Sequence, residues 1–501
     1  MLDKLCSTCI GRTVSIALLL VCLQGGLLFG QWEADFRLTT DNDSSFTSNN
    51  NAWSVAVYDD TVHVVWYDNR DGNYEIYYKR SDDGGSTWGS DMRITDEPSW
   101  SSIPSLAVSS SNVHVVWEDD RDMDIEVYHK RSTDGGLTWG PDVHVTVAPG
   151  PQGMPSVVVI GDYVHVAWVD FTLMGNSEIY YGRSSDGGTT WETPFQISNA
   201  GGFSSSPSIV AHESDVHIAW HDSRFGWFNN EIYYRRSTDD GITWGTETRM
   251  TEDTTFSNVP SIALSGSNVH VVWEESRDGN YEIYYKRSTD YGQTWGPDTR
   301  LTDDTGESHS PSLSASESNV HIVWMESRDG NEEIYYKKST DNGVTWGGDI
   351  RLTDDQDASQ NASVVAYGEK LHVVWQDDRD GNWEIYYKRD PTGNTGVAEL
   401  TENAAGAIRL NALPNPFTNL TQIRYSIHDT GYLIQNSAIE IYDAGGRLVR
   451  SFHQISSTGN QESSVVWDGT DQYDRQLGNG VYFVKLEASG ISATEKLLLI
   501  R

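Results

Sequence analysis

The sequence predicts an all-β protein: a seven-bladed β-propeller closed by an N-terminal strand, plus a C-terminal Ig-like β-sandwich. Three observations carry this. One segment recurs in seven copies, the strand missing from the last copy stands ahead of the first, and the C-terminal part of the chain abandons the repeat for another pattern of strands. Self-similarity is weighed first because it decides the architecture.

The copies are marked by Trp66, Trp117, Trp168, Trp220, Trp273, Trp324 and Trp375, spaced 51 to 53 residues apart. Each offers a short apolar strand such as Ser105 to Val108, a Val-His-Val-Val-Trp strand, a Glu-Ile-Tyr-Tyr-Lys strand and a short Arg-Leu-Thr strand. β-branched and aromatic residues bounded by Gly, Asp, Asn and Ser favour pleated sheet with tight turns. Strands apolar at nearly every position suit sheets that pack on both faces, and four-stranded sheets repeated radially make a propeller.

A ring must pair its last unit with its first to avoid a bare edge. The seventh copy runs from Asn361 to Arg389 and lacks a fourth strand, whereas Trp32 to Thr39 matches Trp295 to Thr302. Phe36 to Thr39 is therefore expected to complete the last sheet, beside Glu384 to Lys388.

Between third and fourth strands, six copies carry Ser-x-Asp-x-Gly-x-Thr-Trp, from Ser81–Trp88 to Ser339–Trp346. Asp83, Asp134, Asp186, Asp239, Asp290 and Asp341 are placed to accept turn amides, the Gly to take positive φ, and the Trp to staple the turn. These are Asp boxes. Over residues 31 to 393 the chain resembles the bacterial neuraminidase repeat and sialidase-like propeller families.

After a Gly-, Thr-, Asn- and Ala-rich linker (394–407), residues 408–501 alternate as strands of a small sandwich. The order Leu413-Pro414-Asn415-Pro416-Phe417, Ile439 to Arg447, Val466 to Gly469, Gly480 to Lys485 and Lys496 to Arg501 resembles the type IX secretion system C-terminal sorting domain. That resemblance implies a cargo secreted by, or displayed on the cell surface of, a didermous bacterium, with the outer-membrane secretion machinery as a partner. A plain Ig-like spacer is the alternative.

At the other end, Lys4 and Arg12 precede an apolar run from Val14 to Leu23 and small residues at Gly25, Gly26 and Gly30, the layout of a signal peptide over residues 1–30. Cys6, Cys9 and Cys22 all lie within it, so the mature chain is expected to be free of disulfides and cysteine metal sites. No later apolar stretch reaches the ~18 residues of a membrane span, and no membrane insertion is expected. A net charge of −38 repels phosphate backbones, which excludes nucleic acid as a main partner.

Loops joining fourth to first and second to third strands share one face. There Asp-x-Arg-Asp-Gly-Asn-x-Glu recurs, with Glu75, Glu126, Glu178, Glu231, Glu282, Glu333 and Glu384 in all seven copies. Arg70, Arg121, Arg224, Arg277, Arg328 and Arg379 recur in six, with Thr172 in the third copy. The motif reads as a hairpin with a cross-strand ion pair. A carboxylate ring holding Ca²⁺ is the alternative, and no metal ligand is assigned. His63, His114, His165, His217, His270, His321 and His372 share one strand position, one per copy, and are expected to be buried and hydrogen-bonded rather than metal-binding.

A ligand on the axis has no sevenfold symmetry, so departures from the repeat mark function. They are the loop Phe171 to Ser177, the loop Phe225 to Phe228, and aromatics expected at one equivalent position ahead of the first strands: Phe46, Trp100, Phe203 and Phe256, with Trp53 and His309 nearby. The ligand-binding set is Trp100, Phe203, Phe256, Trp227, Phe228, Arg224 and Arg277. Catalytic residues are unassigned.

The sialidase resemblance implies an arginine triad on the axis, with a Tyr-Glu pair and an Asp. Phe36-Arg37-Leu38-Thr39 is similar to the family's first arginine motif but lacks its proline and is in register with the outer strands. The inner strands carry no charge. The reading is thus a recognition propeller that binds glycan or protein ligands outside the cell. The alternative is an exo-sialidase or other glycoside hydrolase, and enzyme activity stays open, leaning against.

Overall fold

A computed structural model describes residues 32–48, 53–146, 149–171, 176–199, 201–226 and 229–391, and in the C-terminal part 408–413, 417–427, 438–443, 447–453, 463–473, 475–488 and 491–500. The expected signal peptide, all three cysteines, the linker and the pair Trp227 and Phe228 lie outside the described residues. The chain divides into two units, Met1–Val397 and Ala398–Arg501.

Among the described residues of the first unit, the copies form seven antiparallel sheets, numbered here in chain order. Sheet 2 shows the pattern: Ser101–Ser109 pairs with Asn112–Asp119, that with Glu126–Ser132, and that with Val143–His144. The first strands of successive sheets lie side by side, and that of sheet 7, Ser359–Tyr367, lies beside Val55–Tyr58 of sheet 1. Phe36–Arg37 supplies the fourth strand of sheet 7, Phe36 opposite Tyr387 and Arg37 opposite Tyr386. The expected closure is therefore present.

The marker tryptophans are buried between sheets, each beside a third-strand tyrosine such as Tyr77, 5.9 Å from Trp66. The histidines are buried too, with Nδ1 on a third-strand hydroxyl, as in His217 and Tyr234 at 2.5 Å. Sheet 2 replaces that tyrosine with His129, 3.0 Å from His114. Burial lowers the pKa of His63, His165, His217, His270, His321 and His372 to about 3.

The Asp boxes close on themselves and on the preceding sheet. In the first, Asp83 accepts the Thr87 amide at 2.8 Å and its hydroxyl at 2.7 Å, and these bonds with that from Ser81 lower its pKa to about 2. Gly85 sits at φ +84°, and a Cβ there would stand 1.9 Å from the Tyr387 hydroxyl of sheet 7. Trp88 meets the same ring edge-on at 4.8 Å. The box thus joins neighbouring sheets instead of merely fastening its own turn. Sheet 7 has no box, and Trp32 takes the place of its tryptophan, edge-on to Tyr336 at 5.1 Å.

The second unit has two sheets. One runs Ile408–Leu413, Thr421–Ile427, Ser463–Trp467; the other runs Leu448–His453, Ala438–Asp443, Gly480–Ala488, Ile491–Leu499. Ile423, Tyr425 and Trp467 from the first pack with Ile439, Ile441, Val484 and Leu497 from the second into one apolar core, as a sandwich requires.

Candidate functional site

The second-to-third loops are built on ion pairs, with partners that correct the sequence reading. The loop arginine does not pair with the loop glutamate. Arg70 binds Asp68 two residues earlier at 2.6 Å, Asp91 at 2.8 Å and Asp41 at 2.6 Å, and lies 4.3 Å over the Tyr77 ring. Glu75 instead takes Arg93 of the fourth strand and the Thr95 hydroxyl, both at 2.5 Å. The arrangement recurs with Glu282 and Arg300, Glu333 and Arg351, and Glu384 and Arg37. Each of these glutamates thus takes its arginine from the fourth strand of its own sheet. Among the described residues, no three His, Asp or Glu side chains stand where they could share a metal ion.

Arg224 and Arg277 follow the same rule. Arg224 binds Asp222 at 2.8 Å and Glu247, over the Tyr233 ring at 4.0 Å. Arg277 binds Glu275 at 2.9 Å, Asp253 at 3.1 Å and Asp298 at 3.2 Å, over Tyr284 at 4.4 Å. Their carboxylate partners hold both guanidiniums charged, and both side chains are largely engaged in bracing the loops.

Trp100, Phe203 and Phe256 occupy one register, immediately before the first strands at Ser101, Ser204 and Ser257. Each is fixed through its backbone amide: Trp100 to Asp120 Oδ1 at 2.6 Å, Phe203 to Ser223 Oγ at 2.8 Å, Phe256 to Ser276 Oγ at 3.1 Å. Phe203 and Phe256 are half-buried, whereas Trp100 is 60% exposed. Phe46 is displaced from this register, since it pairs with Tyr67 as Ser102 pairs with Glu118. The displacement builds a run of rings: Tyr67 stacks on Phe46 at 5.4 Å, Tyr74 meets both, and Trp100 stands edge-on to Tyr74 at 5.8 Å.

Two features were missed. The first strands extend past the expected segments through a bulge, with Ile103, Met154, Ser206, Val259, Ser310 and Asn361 left-handed at φ 49° to 53°. Flanking the bulge on the second strand, one position past the marker tryptophan, stand Tyr67, Glu118, Val169, His221, Glu274, Met325 and Gln376. Chemistry varies at this position while its neighbours repeat, a signal that was present in the sequence. Three of these side chains accept the bulge amide of the next sheet: Glu118 from Met154 at 3.2 Å, His221 from Val259 at 3.4 Å, Glu274 from Ser310 at 3.1 Å.

Burial raises the pKa of Glu118, whose other oxygen accepts from Ser102 at 3.1 Å, and a Cβ on Gly153 would press into that carboxylate at 2.4 Å. Burial lowers His221 to about 4. Burial opposes the charge of His309, but Glu274 at 3.2 Å and Glu307 at 3.4 Å outweigh it and raise its pKa. The loop face thus carries an aromatic run that ends in the exposed Trp100 and an uneven inner ring of carboxyl and imidazole groups.

Residues 411–500 match the family described as "Secretion system C-terminal sorting domain". The tail is a secretion sorting domain. No curated protein matches the chain. Among solved structures, the polysaccharide lyase Uly1 aligns over 72% of this chain and 99% of its own at 11% identity and TM-score 0.48. The Hadza microbial sialidase Hz136 aligns over 66% and 73% at 16% identity and TM-score 0.42. A Trypanosoma rangeli sialidase aligns over 82% and 86% at 12% identity and TM-score 0.42. No helix of the described residues is long and apolar enough to cross a membrane.

Proposed function

We propose that this protein is an exported recognition propeller that binds an extracellular glycan or protein through its loop face. In this reading a leader (1–30) is followed by the propeller (31–393), a linker (394–407) and the sorting domain (408–501), which engages the type IX export machinery. The observation that carries the reading is Trp100, an exposed indole backed by Tyr74, Phe46 and Tyr67. A large aromatic surface held by a rigid turn loses little entropy on binding and offers a face for stacking on sugar or peptide. Phe203 and Phe256 extend the face, Trp227 and Phe228 are assigned to it from the sequence alone, and Arg224 and Arg277 hold its loops in place.

Hydrolysis is the second reading, favoured by Glu118, a half-buried carboxyl with a raised pKa at the inner ring, as a general acid requires. The loop arginines are committed to carboxylates, so this reading concerns neutral glycans before sialosides.

One experiment separates the two. The mature chain is tested for binding to a broad glycan and peptide panel and for turnover of fluorogenic glycosides. Recognition predicts binding that Trp100→Ala weakens at least tenfold, without turnover. Affinity unmoved by Trp100→Ala would remove the proposed face, and turnover lost in Glu118→Gln would establish the hydrolase.

A further inference from the structure

The loop between the second and third strands of sheet 2 breaks the repeat in one way the proposed function leaves unused. Where sheets 1, 5, 6 and 7 place Gly72, Gly279, Gly330 and Gly381 at φ +89° to +101°, sheet 2 places Met123 at φ +74°. A branched or long side chain pays for a left-handed backbone in steric strain, and such residues cluster where the strain serves a partner. Met123 is 97% exposed, so its thioether gains no packing inside the chain.

It does not stand alone. Asp120 anchors both ends of the patch: its carbonyl accepts the Met123 amide at 3.2 Å, while its amide and carboxylate bind the Trp100 backbone at 3.1 and 2.6 Å. Ile125, 39% exposed, follows two residues later. The loop's cation, Arg121, is engaged by Asp119 and Asp142 at 2.6 and 2.8 Å, so the exposed rim around Met123 is the acid pair Asp122 and Asp124.

We propose that Met123, Ile125 and Trp100 form a docking patch for a cationic, apolar segment of a partner protein. Aliphatic and thioether surface adapts to apolar side chains and offers sugar hydroxyls nothing, while the carboxylates on either side select Lys or Arg flanks. This rests on the loop-face reading above and commits it to a polypeptide.

The test uses the full mature chain and short fluorescent peptides in three compositions, Lys with Leu and Phe, Glu with Leu and Phe, and Lys with Ser, followed by anisotropy. Expected is binding of the first peptide alone, weakened about tenfold by Met123→Gly and by Met123→Ser, with unchanged far-UV spectra. The glycine variant restores the residue of the other sheets and cannot fail for steric reasons. Affinity unchanged from the unsubstituted chain in both Met123 variants, or binding of the Lys and Ser peptide as tight as that of the Lys, Leu and Phe peptide, would overturn the patch. Glycan binding that depends on Trp100 with no peptide binding would overturn it too, while leaving the recognition reading in place.

Discussion

The Asp-box face and the loop face of the propeller obey opposite rules. On the box face, copies are nearly interchangeable: the same Ser and Asp close each turn, the same Gly and Trp meet the ring at one third-strand position of the preceding sheet, and even sheet 7 is served by Trp32. On the loop face the framework of ion pairs repeats, but what it presents does not. Phe46, Trp100, Met123 and the residues after the marker tryptophans differ from sheet to sheet. Repetition stabilises a ring because each sheet must fit its neighbours, whereas a ligand that lacks the ring's symmetry can be gripped only by the residues that break it.

If stability resides in the repeated interior, the largest lever is acid. The buried histidines are neutral in the fold with pKa near 3, against an ordinary value of 6.5. The unfolded chain therefore binds more protons between those values. Their contribution is complete above pH 6.5 and is lost as pH falls toward 3, at about 1.4 kcal/mol per pH unit for each histidine. Carboxyls raised by burial, Asp41, Glu118, Glu126, Glu231, Glu275 and Glu384, oppose this near their own titration. Melting temperature should fall steeply between pH 6.5 and 4.5; a flat profile would break the comparison.

Next in size is a single repeated side chain. Trp273 is fully buried against Tyr284 and donates its indole N–H to Glu275 at 3.2 Å. Trp273→Ala should cost about 3–5 kcal/mol in denaturant unfolding. Trp100→Ala, on the varied face, should stay within about 0.5 kcal/mol.

What the sequence disclosed follows the same divide. The period, the closing strand and the box were legible because each depends on residues adjacent in the chain or on a whole copy repeating. The partners of Arg70 and Glu75 were not, since Asp91 and Arg93 reach them only through the pairing of third and fourth strands, a register that spacing alone leaves free. Phe46 was misaligned because the first copy carries extra residues between Ser45 and Ser54, which shifts it relative to Ser102. The left-handed bulges gave no local sign, because Ile103 and Val259 are residues that ordinarily avoid that conformation.

The smallest prediction tests the divide most directly, because it exchanges the rules of the two faces at one residue. In the box, glycine is obligatory: at Gly136, φ +84°, a Cβ would meet the Tyr78 hydroxyl at 1.9 Å. In the loops, the glycines equivalent to Met123 have nothing within 4 Å of a Cβ, so only the backbone disfavours a side chain. Met123→Gly should therefore remove about 1 kcal/mol of left-handed strain, less the extra entropy glycine confers on the unfolded chain. The net gain is a few tenths of a kcal/mol, seen as a slightly higher denaturation midpoint with unchanged slope. A loss of stability would mean that Met123 packs within its own loop and belongs to the framework after all.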